Sequence, residues 1–158
     1  FSVNSSIEDR PGFMQWVDVV ESDAGRFSDS DGKYDIVYAK TKRRQINTKL
    51  RMNIAFNSRM TFEAFYQPFN VDMDYQDYYR LDEKYSFKTS SFNYSENKDF
   101  EINNQRGTFV YRWEYRPGSL LYVVYNLNDN NYYSDQDREW DQSKSNSLFL
   151  KFDYFFQS

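Results

Sequence analysis

Residues Asn146 to Gln157 alternate between two kinds of side chain. Leu148, Leu150, Phe152, Tyr154 and Phe156 fall on one side, and Phe149, Lys151, Asp153 and Phe155 on the other. Successive side chains of a strand point to opposite faces, so the segment predicts a β-strand with one wholly apolar face. Three further segments repeat the pattern. From Thr108 to Arg116, Phe109, Tyr111, Trp113 and Tyr115 oppose Val110, Arg112, Glu114 and Arg116. From Ile46 to Phe56, Ile46, Leu50, Met52 and Ile54 oppose Asn47, Lys49, Arg51 and Asn53. From Met60 to Tyr66, Met60, Phe62, Ala64 and Tyr66 oppose Thr61, Glu63 and Phe65. After Pro117-Gly118, Leu121, Val123 and Tyr125 continue the apolar face. Pro presets φ and Gly tolerates positive φ, so Arg116–Ser119 predicts a tight turn, and Asn57-Ser58-Arg59 a second. The faces keep phase across both turns.

Connection lengths alternate too. Short turns fall at 57–59 and 117–118, and long polar stretches at about 23–32, 71–104 and 129–145. Outer-membrane barrels pair short periplasmic turns with long external loops. The expectation is six long strands at about 1–22, 33–56, 60–76, 92–116, 119–128 and 146–157, with both termini periplasmic. Segments 13–22 and 33–43 then extend above the membrane. About eight strands is the smallest membrane barrel, so the missing ones are expected before Phe1. The fold class is therefore all-β, an antiparallel transmembrane β-barrel, with residues 1–158 as its C-terminal portion.

Composition sharpens this picture. Aromatic residues make up 21% of the 158, yet mean hydropathy is strongly polar at −0.94. A soluble globule with so many rings carries more aliphatic side chains to pack them. A barrel places rings in interfacial girdles and polar groups in its lumen. No apolar run approaches the ~18 residues of a membrane helix. The net charge of −4 argues against nucleic acid as a partner, because phosphate backbones demand basic patches. The chain has no His and no Cys, which removes His-activated nucleophiles and His-ligated zinc. No cofactor is expected.

Residues 33–157 resemble a family of Gram-negative outer-membrane proteins, domain-of-unknown-function family 5916. The resemblance rests on Thr48-Lys-Leu-Arg-Met-Asn-Ile-Ala-Phe56, Ala64-Phe-Tyr-Gln-Pro-Phe69, Asp99-Phe100 and Gln105-Arg-Gly107. Its most specific block is Val110-Tyr-Arg-Trp-Glu-Tyr-Arg-Pro-Gly-Ser119, and Ser147 to Phe156 fits the family's ending. It implies a C-terminal barrel preceded by a sandwich similar to carbohydrate-binding family 9. That sandwich is absent from this sequence, so no sugar-binding residue carries over.

Two groups of residues are candidate sites. Arg51, Glu63, Arg112, Glu114, Lys151 and Asp153 share the polar face and form a candidate lumen charge network. Such a network selects permeants or holds a plug. The plainer and preferred account is a barrel interior neutralising itself through cross-strand pairs. Tyr75, Tyr78, Tyr79, Tyr132, Tyr133 and Trp140 lie in or near the expected outer loops. Rings there contact a ligand or partner, or pack the loops over the barrel mouth, and packing is preferred. Acidic clusters at Asp29 and Asp31, at Asp72, Asp74 and Asp77, and at Asp135, Asp137, Glu139 and Asp141 lack a full calcium-loop motif. They read as solvated loops. Trp113 and Tyr115 read as girdle residues, Pro68 as a bulge or the point where a strand leaves the membrane, and Gly107 as relief of crowding.

The expected role is non-enzymatic. The chain is read as a barrel of the bacterial outer membrane, anchoring a module or serving as a subunit of an envelope complex. Its partners would be outer-membrane lipid, other envelope proteins or surface glycan. The alternative is a soluble, aromatic-rich β-sandwich that binds carbohydrate. A hydrolase built on paired carboxylates such as Glu114 and Asp153 has little support.

Overall fold

A computed structural model describes residues 1–156. The expected last strand ends at Gln157, which lies outside the described residues. The chain forms one antiparallel sheet of nine strands with no helix among the described residues. The strands are β1 (Ser2–Glu21), β2 (Phe27–Ser28), β3 (Lys33–Asn57), β4 (Met60–Leu81), β5 (Thr89–Ser91), β6 (Phe100–Arg116), β7 (Ser119–Ser134), β8 (Glu139–Lys144) and β9 (Ser147–Asp153). β8 and β9 both pair with β7 and together act as one interrupted strand, while β2 and β5 are short additions beside β3 and β4. The result is a six-strand meander in sequence order, left open at β1 and at β8–β9.

The expected six strands are present, but three run longer in the loop direction than the polarity of their sequence suggests. β4 reaches Leu81, β7 reaches Ser134, and β8 begins at Glu139. The long polar stretches expected at 71–104 and 129–145 therefore consist largely of paired backbone. Ladder hydrogen bonds hold these Asp- and Asn-rich segments extended although they lack the strict apolar–polar alternation of the other half. In the other direction, β6 starts at Phe100, so residues 92–99 are not the expected opening of a strand.

Cross-strand register determines which residues share a face. The side bearing Leu150 is the front. Val3, Leu50 and Tyr66 lie in one row, as do Ile54, Phe62, Tyr111, Val123 and Leu150 in another. All four alternating segments thus place their apolar residues on the front. No other part of the sheet covers this side: Leu150 is 59% accessible, Phe152 66% and Trp113 40%, while Leu50, Phe62, Tyr66, Tyr111 and Val123 are half-buried among their neighbours. The back of the same half carries Asn47, Lys49, Arg51, Glu63, Arg112 and Lys151.

This arrangement ends along a line through Ile7, Ile46, Pro68, Gly107, Leu127 and Leu148. Beyond it, toward the long loops, the faces exchange character. The front turns charged, with Asp9, Lys42, Arg44, Asp72, Asp74 and Glu101. The back turns apolar, with Val37, Ala39, Val71, Met73, Phe100 and Ile102. The few buried residues lie almost entirely on this second half of the back face or in the loops beside it. Val37 and Ala39 are wholly inaccessible, and Val71 and Met73 nearly so.

Bulges also distinguish the two halves. Between the line and the tight turns the ladders run without a register shift until the turns themselves. Toward the loops β1 shifts twice, first at Gly12, whose φ is 76°, and again between Trp16 and Asp18, and the β3–β4 ladder shifts between Ala39 and Thr41. Pro68 makes no bulge. Its strand keeps register on both sides while the β3 ladder lapses opposite it, and it sits on the dividing line. A Cβ on Gly107 would lie 3.0 Å from the Phe109 ring, so the glycine does make room there.

At the short-turn end, Asn57 accepts the Arg59 N–H at 2.8 Å, and Glu114 accepts the Gly118 N–H at 2.8 Å. Gly118 has φ of 77°, and a Cβ there would stand 3.1 Å from Phe155. Left-handed φ costs a β-branched residue about 1–2 kcal/mol, and the Phe155 contact adds to it. Gly118→Val is expected to lower the folding free energy by about 2 kcal/mol in urea titration. A change below a few tenths would show that this turn does not fix the β6–β7 register.

Candidate functional site

Side chains from distant parts of the chain meet on the back face of the loop half. β3 supplies its floor, with Val37, Ala39 and Thr41 in one column, and the Thr41 hydroxyl donates to the Phe13 carbonyl at 3.0 Å. Beside Ala39, Tyr78 stands on β4. Beside Val37, on the other side, Asp18 stands on β1. Residues 92–98, between β5 and β6, cross above this floor. Phe92 donates its N–H to the Tyr78 carbonyl at 2.9 Å, and its ring lies under the Arg80 guanidinium. Tyr94 packs its ring 5.0 Å from that of Tyr78 and donates its hydroxyl to Asp18 Oδ2 at 2.6 Å. A single side chain therefore reaches from above β4 to β1 and passes over β3 between Val37 and Ala39. This accounts for the complete burial of both.

Glu96 and Lys98 fix the far end of the crossing. Lys98 Nζ is 2.6 Å from Glu96 Oε2 and donates to Gln136 Oε1 at 3.0 Å. Gln136 donates to Glu96 at 3.3 Å, and Asn97 to Asp135 at 3.1 Å. The segment is thereby tied to the β7–β8 turn as well as to β1. Burial pushes the Tyr94 phenol well above its ordinary pKa, and its donation to the Asp18 carboxylate adds to the rise. The neighbouring Lys98 ammonium holds the Glu96 carboxyl below its ordinary range. A second network secures the adjoining loops. Buried Asp35 accepts the Arg26 N–H at 3.2 Å and faces Arg80 at 3.5 Å, while Arg26 pairs with Asp82.

The six aromatic candidates do not form one site. Tyr75 and Tyr132 lie on the back face and flank Phe100, with centroids 6.4 and 5.6 Å from it. Tyr78 is also on the back, beneath Tyr94. Tyr79, Tyr133 and Trp140 are on the front. Tyr133 packs on Trp140 at 5.1 Å, and Tyr79 lies under the Lys40 ammonium, in register with Tyr38 and Trp16. A cleft of about 230 Å³ beside Tyr132 is lined by Ile102, Asn104, Asn130, Asp141 and Ser143.

The six charged candidates do share the back face of the turn half, where Arg51, Glu63, Phe65, Thr108 and Val110 border a depression of about 390 Å³. Cross-strand ion pairs do not join them among the described residues. Lys151 pairs with Asp153 two positions along the same strand at 3.1 Å. Arg51 and Lys151 lie over the rings of Phe65 and Tyr122, opposite them in the ladder. Glu114 is engaged by the Gly118 N–H, and no ion pair reaches Glu63 or Arg112 among the described residues. The expected pairing gives way to cation–π contacts because the residue directly opposite each of these cations is aromatic. Glu114 and Asp153 thus both have structural partners. The acidic clusters bring no metal-ligand group together among the described residues, and Asp29 caps its own turn by accepting the Asp31 and Gly32 N–H groups.

Sequence reasoning missed Asp18, Tyr94, Glu96 and Lys98. The Tyr94–Asp18 contact joins residues 76 positions apart, and neither stands in a local motif. The only local trace is the aromatic alternation Phe92, Tyr94 within an otherwise polar stretch.

The family model described as "Domain of unknown function (DUF5916)" matches residues 12–157, and the chain belongs to that family. No curated protein and no solved structure matches it significantly.

Glu96 owes its lowered pKa first to Lys98, so Lys98→Met is expected to move its titration up toward the ordinary glutamate range, followed by carboxyl ¹³C NMR. A depressed carboxyl stabilises the native state above its unfolded pKa, and this contribution is lost as pH falls through the folded value. The variant should therefore lose its Glu96-linked acid sensitivity, and an unchanged Glu96 titration would exclude the ion pair in solution.

Proposed function

We propose that this DUF5916 member forms part of the wall of a β-barrel in the bacterial outer membrane, where it acts without catalysis as an anchor or envelope-complex subunit. The front face of the turn half would meet lipid tails, and its back face the lumen. The observation that carries this reading is the alignment of exposed and half-buried apolar side chains from the six long strands into one uncovered band with a sharp edge. On β3 the band runs from Ile46 to Phe56. About ten residues at ~3.4 Å each, tilted by ~40°, climb about 26 Å, which suits the ~25 Å apolar belt of an outer-membrane barrel.

The ends of the band support the same reading. Trp113 and Tyr115 pack edge to face at the short-turn end, near Tyr154 and Phe156. At the other edge Tyr66 sends its hydroxyl across the line to Gln105 Oε1 at 2.8 Å. Rings with an apolar body and a polar tip facing water are what an interfacial girdle uses. The two open edges require further strands in a bilayer, because each unpaired backbone group there costs several kcal/mol. The resemblance to a barrel preceded by a sugar-binding sandwich adds glycan association as a secondary role. The soluble sandwich is less favoured, since among the described residues no second sheet covers the band.

Val123 and Val124 are chemically identical neighbours on opposite faces, and they separate the two readings. Arginine facing lipid near mid-membrane costs about 2–4 kcal/mol and far less when it faces a lumen. Val123→Arg is expected to reduce folding into lipid vesicles by that amount, measured by urea titration, while Val124→Arg has under half the effect. Equal losses, or a larger loss for Val124→Arg, would reject the lipid assignment of the front face.

A further inference from the structure

We propose that residues 92–98 are a latched strap that closes the lumenal face at the loop end, with the Tyr94–Asp18 hydrogen bond as its latch. The inference rests on the barrel reading for the word lumenal, but the strap itself is read from contacts that stand without a membrane. Its route is set by three points: Phe92 on the β4 backbone, Tyr94 above β3, and the Tyr94 hydroxyl on β1. Its far end is fastened by the Lys98, Asn97 and Gln136 contacts beside the β7–β8 turn.

Several features mark it as a movable cover and not as a wall. Residues 92–98 belong to no ladder. Side chains make most of its attachments, and among the described residues one side-chain hydrogen bond joins it to β1. The two rings that grip the floor, those of Tyr78 and Tyr94, lie face against tilted face and separate without breaking backbone pairs. The floor below is β3, paired on both sides by β1 and β4 through their bulges, so it remains intact when the strap lifts. Lifting exposes Val37 and Ala39, which share the back face with Met73 and Val71, with Thr41 and Tyr75 between the two pairs. In a barrel this places a greasy lining directly inside the outer mouth, hidden until a solute or partner displaces Tyr94 from Asp18.

The chain contains no cysteine, so a single introduced thiol reports the position of the strap. Ala39→Cys lies under the strap and Lys42→Cys on the exposed front. In the otherwise unaltered protein, reconstituted in vesicles, a bulky maleimide should label the thiol at position 42 quickly and the thiol at position 39 slowly. Adding Tyr94→Phe removes the latch hydroxyl. Labelling at position 39 should then accelerate about tenfold, as for loss of a hydrogen bond to a charged group, with position 42 unchanged. Val37→Cys serves as a second probe if Ala39→Cys does not fold. Rapid labelling of the covered thiol before the latch is altered would refute the strap, and protection unchanged by Tyr94→Phe at both covered positions would refute the latch. Quenching of Trp113 by brominated lipid in the same samples tests the membrane placement separately. An unquenched Trp113 with a protected thiol at position 39 would overturn the barrel reading alone.

Discussion

The register of the backbone ladders is the constraint on which everything else depends. Side chains alternate with a period of two, so a slip of one residue in any ladder would move a whole apolar row to the opposite face. Six strands from different parts of the chain nevertheless deliver their apolar residues to the same side at the same height. Two tight turns hold that alignment: the Asn57 side chain caps one, and Glu114 with left-handed Gly118 closes the other. The bulges away from these turns all lie beyond the dividing line, where a shift costs the band nothing.

In the proposed membrane setting, the exchange of faces along the strands follows from where water is. In the turn half the front is apolar and uncovered, and the back is polar. In the loop half the charges move to the front and the apolar residues to the back, as in a water-soluble sheet with one covered face. The same strands thus obey two solvation rules, with Pro68 and Gly107 at the change. The resident core is very small. Among the described residues its hydrophobic members are Phe27, Val37, Ala39, Val71 and Met73, too few to hold a sheet of this size by burial alone. In the proposed setting, lipid contact takes the place of a core in one half, and the strap over β3 serves the other.

The sequence made the turn half legible and much of the loop half obscure, for one physical reason. In the proposed setting one face of the turn half meets an apolar phase, so alternation there is strict, and the segments from Ile46, Met60, Thr108 and Ser147 announce their strands, faces and turns. Beyond Asn70 the polar residues of β4 move to the front and the apolar ones to the back, and beyond Leu127 β7 is polar on both faces as far as Asn131, so the pattern weakens and the ladder resembles a loop. Alternation puts the six charged candidates on one common face, but their partners depend on which side chain stands opposite, and opposite Arg51 and Lys151 stand Phe65 and Tyr122 in place of an acid. Tyr94 and Asp18 were invisible because their meeting depends on how a non-strand segment crosses two others. The aromatic candidates divided between the faces because parity along β4, β7 and β8, not loop membership, decides their direction.

A nitroxide scan along β7, one label per position from Ser119 to Ser134 in reconstituted protein, tests the central claim most directly. Collision rates with oxygen, which concentrates in lipid, and with a water-soluble nickel chelate identify the phase at each site. The account predicts oxygen maxima at 121, 123 and 125, minima at 122 and 124, and loss of the oxygen signal beyond 127, where the nickel chelate takes over on the odd positions. A scan with no oxygen alternation between 120 and 126, or with the maxima on the even positions, would contradict it.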